Sequence, residues 1–460
     1  MSQIKFGTSG WRGILAEDFT LENVRVVVQA IADFLKDENS GSRGLVIGHD
    51  SRFFGKRFAR ETARILAGSG VPSFLCKDDT PTPVIAYEIM RRITAGAINF
   101  TASHNPCEYN GIKFSTAWGG PALPEVTAEI ERRANAMLGE VCYRDMPLDQ
   151  AVRSGLVEEI DPMPDYLDAI RKKVDLDAIG RSGMTVIFDP MYGAGRDYVD
   201  SMLVEAGLLV QTINCSRDPY FGGMPPDPAP THLNDLVTRV RDDKRVALGL
   251  ATDGDADRYG IIDADGTFIE PNYILALLYD YLIRKKGESG DAARSVATSH
   301  FIDAVAAHHG YAVRETPVGF KYIGEFIRDN QIVIGGEESA GLSVRGHVPD
   351  KDGVLACLLV AEMVAVEGKT INQLLQNLYA RVGEFHTSRH NLRLSMELAN
   401  KIGDKLASPP DQLADKQVVE TITTDGVKLI LDCLLYTSPS PRDRHLDLVC
   451  RLLLENGGGG

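Results

Sequence analysis

The stretch "AGAINFTASHNP", residues 95–106, carries an apolar run of strand length, Ala95 to Phe100, straight into a polar loop of small residues. Two later stretches repeat the plan: "VALGLA" (246–251) into "TDGDADR" (252–258), and "QIVIGG" (331–336) into "EESAG" (337–341). Between such runs lie helical patterns such as "PNYILALLYDYLIRKK" (271–286) and "ACLLVAEMVAVEG" (356–368). Strands alternating with helices indicate an α/β fold, and the threefold plan indicates three similar α/β domains with mixed sheets. In such sheets ligands bind beyond the carboxyl ends of strands, which puts all three loops in one central cleft.

Turn-rich stretches near 147–162, 263–272 and 383–391 set the expected boundaries. The domains run 1–150, 160–264 and 265–384, with a shorter fourth piece at 385–432. At one domain per ~150 residues, a chain of 460 fits three or four. Apolar residues at 44% and charged residues at 25% describe an ordinary folded protein. The formal charge of −15 argues against a nucleic-acid partner, whose binding rests on lysine and arginine. A small phosphorylated substrate needs only a local positive pocket.

No run of ~20 apolar residues suggests a membrane span, and "MSQIKFGTSGWRG" lacks the regions of a secretory signal, so the cytoplasm is expected. Seven scattered cysteines form no CxxC pair, which points away from a zinc site or a disulfide framework. Oligomeric state is left open between a monomer and a small homo-oligomer.

In "DGDADR", Asp253, Asp255 and Asp257 alternate with Gly254 and Ala256. In an extended backbone alternate side chains share a face, so three carboxylates are expected to converge. Like charges so close call for a hard divalent cation, with magnesium the best fit; a solvated acidic turn is the plain alternative. An EF-hand is excluded, since Arg258 stands at the sixth loop position and Ala264 at the twelfth. A guanidinium beside a metal suits a phosphate.

Ser103 has three readings: a hydrolase nucleophile, a phosphoryl carrier, or a turn-forming serine. No G-x-S-x-G elbow surrounds it, and in extended chain His104 would point away from it. An ST-turn ended by Asn105 and Pro106 remains open on the residues alone.

Taken together, "TASHNP…GIKF", "DGDADR", "GEESAG" and the opening "GTSGWRG" resemble the α-D-phosphohexomutase family, in the family's order and over residues 1 to about 432. The resemblance implies an isomerase that moves a phosphoryl group between the 1- and 6-hydroxyls of a hexose, through a bisphosphorylated sugar. It implies that Ser103 is the phosphoserine carrier, and that Asp253, Asp255 and Asp257 hold magnesium with a phosphoserine oxygen. Arg12, His104 and Arg258 match positions around the phosphoserine. Lys113 and Lys351 match the acid/base positions, and a lysine near other cations or partly desolvated can have its pKa lowered for that work. Glu337 and Ser339 are expected at the sugar hydroxyls, with Gly319 and Lys321 in the accompanying loop. The loops look most like those of phosphoglucomutases, so glucose phosphate is expected first and mannose phosphate second, with glucose 1,6-bisphosphate as activator and intermediate.

From Cys433 onward "CLLYTSPSPRDRHLDLVCRLLLENGGGG" resembles a translated sequencing adaptor, so 433–460 is expected to be non-native and the fourth domain cut off near Asp432. The family's "RPSGTEP"-type phosphate loop is missing there. Losing two or three charged hydrogen bonds of about 1.5–3 kcal/mol each predicts a roughly hundredfold to millionfold loss in kcat/KM. A sugar-phosphate-binding protein without catalysis is the reading that such impairment leaves open.

Overall fold

Leu45–His49 and Gly96–Phe100 are buried at every position, as strands covered on both faces are. The computed structural model describes residues 3–7, 10–140, 142–393, 395–413, 416–432, 435–440 and 447–454. Thr8 and Ser9 of the opening motif lie outside the described residues, as do residues 433–434, 441–446 and 455–460 of the C-terminal stretch.

The first sheet comprises β1 (Phe6–Gly7), β2 (Gly10–Ile14), β3 (Leu45–His49), β4 (Ser73–Cys76), β5 (Gly96–Phe100), β6 (Tyr109–Thr116) and β7 (Val157–Ile160), in the order β1-β2-β6-β5-β3-β4-β7. The second comprises β8 (Thr185–Asp189), β9 (Leu209–Thr212), β10 (Val246–Thr252) and β11 (Tyr259–Asp263), in the order β11-β10-β8-β9. The third comprises β12 (Ala292–Ser295), β13 (Val313–Thr316), β14 (Ile334–Glu337) and β15 (Gly341–Val344), in the order β13-β12-β14-β15.

One topology recurs in all three. β5 is parallel to β3 and β3 to β4, while β6 returns antiparallel on β5. β10, β8 and β9 repeat this, with β11 as the antiparallel return. So do β14, β12 and β13, with β15 returning. The loops at 101–108, 253–258 and 338–340 are therefore equivalent, each leaving the carboxyl end of a parallel strand for its antiparallel return.

One expected boundary moves. β7 pairs parallel with β4, so the first sheet takes its edge strand from 157–160, beyond the break expected at 150. Its sequence, "VEEI", buries only its two ends, with Glu158 and Glu159 exposed between them, and carries no long apolar signal.

β16 (His386–Arg393), β17 (Gln412–Leu413), β18 (Lys416–Ile422), β19 (Lys428–Leu431), β20 (Leu435–Ser440) and β21 (Asp447–Leu454) form a fourth sheet, in the order β16-β21-β20-β19-β18-β17. From Cys433 the sequence carries no regular pattern, yet β20 pairs with β19, and β21 lies between β20 and β16. Serine-proline repeats give no strand signal, and backbone pairing is blind to where a sequence comes from.

The helix Gly353–Glu367 ties the second and third sheets together. It is buried at every position from Gly353 to Val364, because it packs against β10, β11 and β15 at once; a helix apolar all round belongs in such a place. Asp352 caps it, accepting the Leu355 N–H at 2.8 Å, and so fixes Lys351 just ahead of the first turn. Among the described residues, no helix is long and apolar enough to cross a membrane. Cys76, Cys107, Cys142, Cys215 and Cys357 are free thiols.

Candidate active site

Ser103 follows β5 and is 1% exposed. Its φ of +52° lies in the left-handed region, and the Asn105 N–H folds back onto Ala102 O at 3.1 Å. The loop is thus a turn, which corrects the extended geometry expected from the sequence. His104 does not point away: its Nδ1 lies 3.4 Å from Ser103 Oγ. The serine N–H donates to Thr101 Oγ1 at 2.8 Å, and the serine hydroxyl donates to Asp253 Oδ2 at 2.7 Å. Arg12, on β2, closes over the turn and donates to Asn105 Oδ1 at 2.7 Å.

The three aspartates converge by a turn as well, not by strand alternation. β10 stops at Thr252, Ala256 adopts φ +56°, and its N–H bonds to Asp253 O at 3.0 Å. One carboxylate oxygen from each of Asp253, Asp255 and Asp257 falls within 4.8 Å of the others, all three residues being buried. Gly254 makes the approach to the serine loop possible, since a Cβ there would stand 2.7 Å from Ser103 O.

Cations from two other segments reach the same cluster. Lys113 Nζ, on β6, lies 2.5 Å from Asp255 Oδ2 and 2.8 Å from Asp257 Oδ2. Lys351 Nζ lies 3.0 Å from Asp257 Oδ2. The Arg258 N–H donates to Asp253 Oδ1 at 3.0 Å, and its Nε stands 3.9 Å from Asp257 Oδ1. Thr82 Oγ1 donates to Asp255 Oδ2. Asp255 Oδ1, Asp257 Oδ1 and Arg258 Nε nonetheless stay buried without a hydrogen-bond partner. Two orphaned carboxylate oxygens beside a third carboxylate form a hard-oxygen donor set, which fits a divalent cation.

Burial, with Asp255 and Asp257 close by, pushes the Asp253 carboxyl well above its usual range. Burial also opposes ionisation of Asp257, but Lys113, Lys351 and Arg258 outweigh it and hold that group well below the carboxylate range. Burial pulls the Lys113 ammonium down, yet Asp255 and Asp257 more than offset it and leave it above the usual lysine value. The lowering expected for this lysine is thereby reversed: its neighbours are carboxylates rather than cations. Burial, then Arg258 and Arg12, holds His104 well below its ordinary value, so the imidazole is neutral.

In the third domain the Gly319 N–H donates to Glu337 Oε1 at 2.8 Å, joining "ETPVGF" to "GEESAG". Gly319 has φ +125° and precedes the helix Phe320–Arg328, whose first turn holds the buried Lys321. Burial, then Glu338, raises the Glu337 carboxyl. Ser339 follows in the tight turn and is partly exposed. Lys351 packs its stem on Gly341, beside this turn.

Sequence reasoning passed over Asp50, Arg52, Thr82, Thr101 and Asp350, all buried around these loops. "DSR" (50–52) directly after "LVIGH", the whole of β3, was the available signal, because charged residues at a buried strand end need a partner.

The comparisons with known proteins agree with this geometry. Phosphoglucomutase/phosphomannomutase alpha/beta/alpha domain I matches residues 3–138, domain II residues 164–266 and domain III residues 270–382. The chain belongs to this family. A Thermococcus kodakarensis phosphoglucomutase/phosphomannomutase is 30% identical over 428 residues, covering 93% of this chain and 90% of its own. Among solved structures, a Thermus thermophilus protein assigned as a phosphomannomutase superposes with a TM-score of 0.85 at 30% identity, over 98% of this chain and 95% of that one. An Aspergillus fumigatus N-acetylphosphoglucosamine mutase, solved with GlcNAc-6P and magnesium, shares the fold at a TM-score of 0.56 and 14% identity, over 98% and 92% of the chains. The protein is a phosphohexomutase, an isomerase of carbohydrate metabolism that interconverts hexose 1-phosphate and hexose 6-phosphate.

Proposed function

We propose that Ser103 Oγ carries the phosphoryl group, that glucose 1- and 6-phosphates are the preferred substrates over the mannose phosphates, and that glucose 1,6-bisphosphate is the intermediate. One observation carries this reading: a serine hydroxyl from the first sheet lies 2.7 Å from an aspartate of the second, within a carboxylate cluster that has oxygens to spare. Asp253, Asp255 and Asp257 would hold magnesium, the ion bound in the Aspergillus mutase. Such an ion supplies positive charge that offsets the charge on the phosphoryl oxygens.

The remaining work falls to side chains. Phosphoryl transfer asks for in-line placement and charge neutralisation more than for bond-making by the protein. Arg258 and Arg12 flank the serine loop as guanidinium donors to phosphoryl oxygens, and the neutral His104 offers a hydrogen bond without adding charge. As the P–O bond to Ser103 breaks and a sugar hydroxyl takes the phosphoryl group, the hydroxyl proton must leave and another must reach the serine oxygen. Lys113 and Lys351 are the proton carriers in this reading, with Lys113 kept in its charged, donating form by Asp255 and Asp257. Glu337 and Ser339 take the sugar hydroxyls, next to Gly319 and Lys321.

The test is mutase activity with glucose 1-phosphate and mannose 1-phosphate, in the presence of glucose 1,6-bisphosphate. Ser103→Ala should fall to background, chelation should silence the wild type, and added magnesium should restore it. A Ser103→Ala variant keeping a tenth of the wild-type rate would remove the assignment. A higher kcat/KM for mannose 1-phosphate would reverse the sugar preference.

A further inference from the structure

Arg52 is a fully buried guanidinium, at 0% exposure, and it touches none of the groups assigned to substrate. Each of its five N–H donors is used inside the first domain. Nε donates to Asp50 Oδ2 at 3.2 Å, Nη1 to Pro106 O at 2.7 Å and Tyr109 O at 2.9 Å, and Nη2 to Ser103 O at 2.6 Å and Asn105 O at 2.5 Å. Four of these acceptors are backbone carbonyls of one segment, 103–109, which winds around the guanidinium. The ring of Phe221, from the second domain, covers its face at 5.0 Å.

The same network holds the other side of the serine. Thr101 Oγ1 accepts the Ser103 N–H and donates to Asp50 Oδ2 at 2.6 Å. Both backbone polar groups of Ser103 are therefore fixed through Asp50 and Arg52. That matters because a non-glycine residue at φ +52° occupies a sparsely populated conformation, costing about 1–3 kcal/mol, which persists only when its surroundings over-determine it.

We infer that Arg52 is the positioning residue of the phosphoserine turn: it spends all its hydrogen bonds on holding Ser103 in the conformation that aims Oγ at the aspartate cluster. The inference rests on the reading of Ser103 as the phosphoryl carrier. No donor remains for a phosphate, so Arg52 acts on the rate of transfer and not on the binding of sugar phosphate. Lysine cannot replace it, because an ammonium has three donors where five acceptors wait. Displacements of about 1 Å at a reacting centre cost on the order of a hundredfold in rate.

The experiment compares wild type, Arg52→Lys and Thr101→Val in single-turnover labelling of the whole chain by glucose 1,6-bisphosphate, followed by intact mass. Binding of glucose 6-phosphate is measured by calorimetry and folding by circular dichroism. The expected result is labelling about a hundredfold slower in both variants, with the sugar-phosphate Kd within about threefold of wild type. Thr101→Val carries the test if Arg52→Lys does not fold. A folded variant that labels at the wild-type rate overturns the inference even if its melting temperature is lower, since the network would then only stabilise. So does a loss confined to sugar-phosphate affinity. A wild-type chain that takes no label at Ser103 removes the phosphoserine reading itself, and the positioning role with it.

Discussion

Lys113 bridges the two aspartates whose remaining oxygens have no partner, so lysine and metal compete for the same charge. Two unit charges about 4 Å apart interact by roughly 4 kcal/mol at an effective dielectric near 20. Lys113→Met should therefore bind a divalent cation at least about tenfold more tightly while losing turnover, as read by manganese titration and steady-state kinetics. Weaker metal binding in that variant would contradict the arrangement. Asp350 offers a separate test. Burial raises its carboxyl from 3.8 to about 7, against the pull of Lys351 and Lys113. Between those values the folded chain keeps a proton that the unfolded chain has released. Stability from this group therefore falls as pH rises through the window, by roughly 4 kcal/mol at about 1.4 kcal/mol per unit. Asp350→Asn keeps an acceptor for the Lys351 N–H, 2.8 Å away, and removes the titration. Its unfolding free energy, measured in denaturant, should gain on wild type steadily from pH 4 to pH 7; a constant difference would refute the upward shift of the buried carboxyl.

At the scale of elements, the molecule repeats one device, a parallel strand whose antiparallel return leaves a short loop at the carboxyl end. Gly254 sets how closely two of these loops meet. Gly254→Ala would force the acidic loop off the serine loop, and kcat should drop about tenfold or more with a stability loss of about 1–3 kcal/mol, the usual cost of overpacking. Unchanged kcat would mean that the contact is incidental. The three loops were legible in the sequence because each joins an apolar run to small and polar residues. Their shape was not: Ser103 and Ala256 both take positive φ, and neither serine nor alanine advertises it. The convergence of the aspartates was foreseen for the wrong geometric reason. Lys113 lies against the aspartates with its pKa raised rather than lowered, because the position of its carboxylate partners is a tertiary fact. "DSR" marked Arg52 as a charge in need of a partner, but four of its five acceptors are backbone carbonyls, which a sequence does not single out.

Across the whole molecule, every repeat contributes to the candidate site: Ser103 and Lys113 from the first domain, the aspartates from the second, Lys351 and Glu337 from the third. The fourth sheet reaches the same region, as Asp425 Oδ2 accepts the Val318 N–H at 2.9 Å, one residue before Gly319. The buried Lys428 Nζ donates to Glu315 Oε2 at 3.0 Å and lies 2.7 Å from His300 Nε2, anchoring that sheet on the third. Beneath all of this lies the proposed esterification of one hydroxyl beside the aspartate cluster. Intact mass before and after exposure to glucose 1,6-bisphosphate, with peptide mapping and Ser103→Ala as control, reads it directly. One added phosphoryl group is expected, located on Ser103 and absent from the variant. A chain that stays unlabelled, or a label that persists in Ser103→Ala, would contradict it.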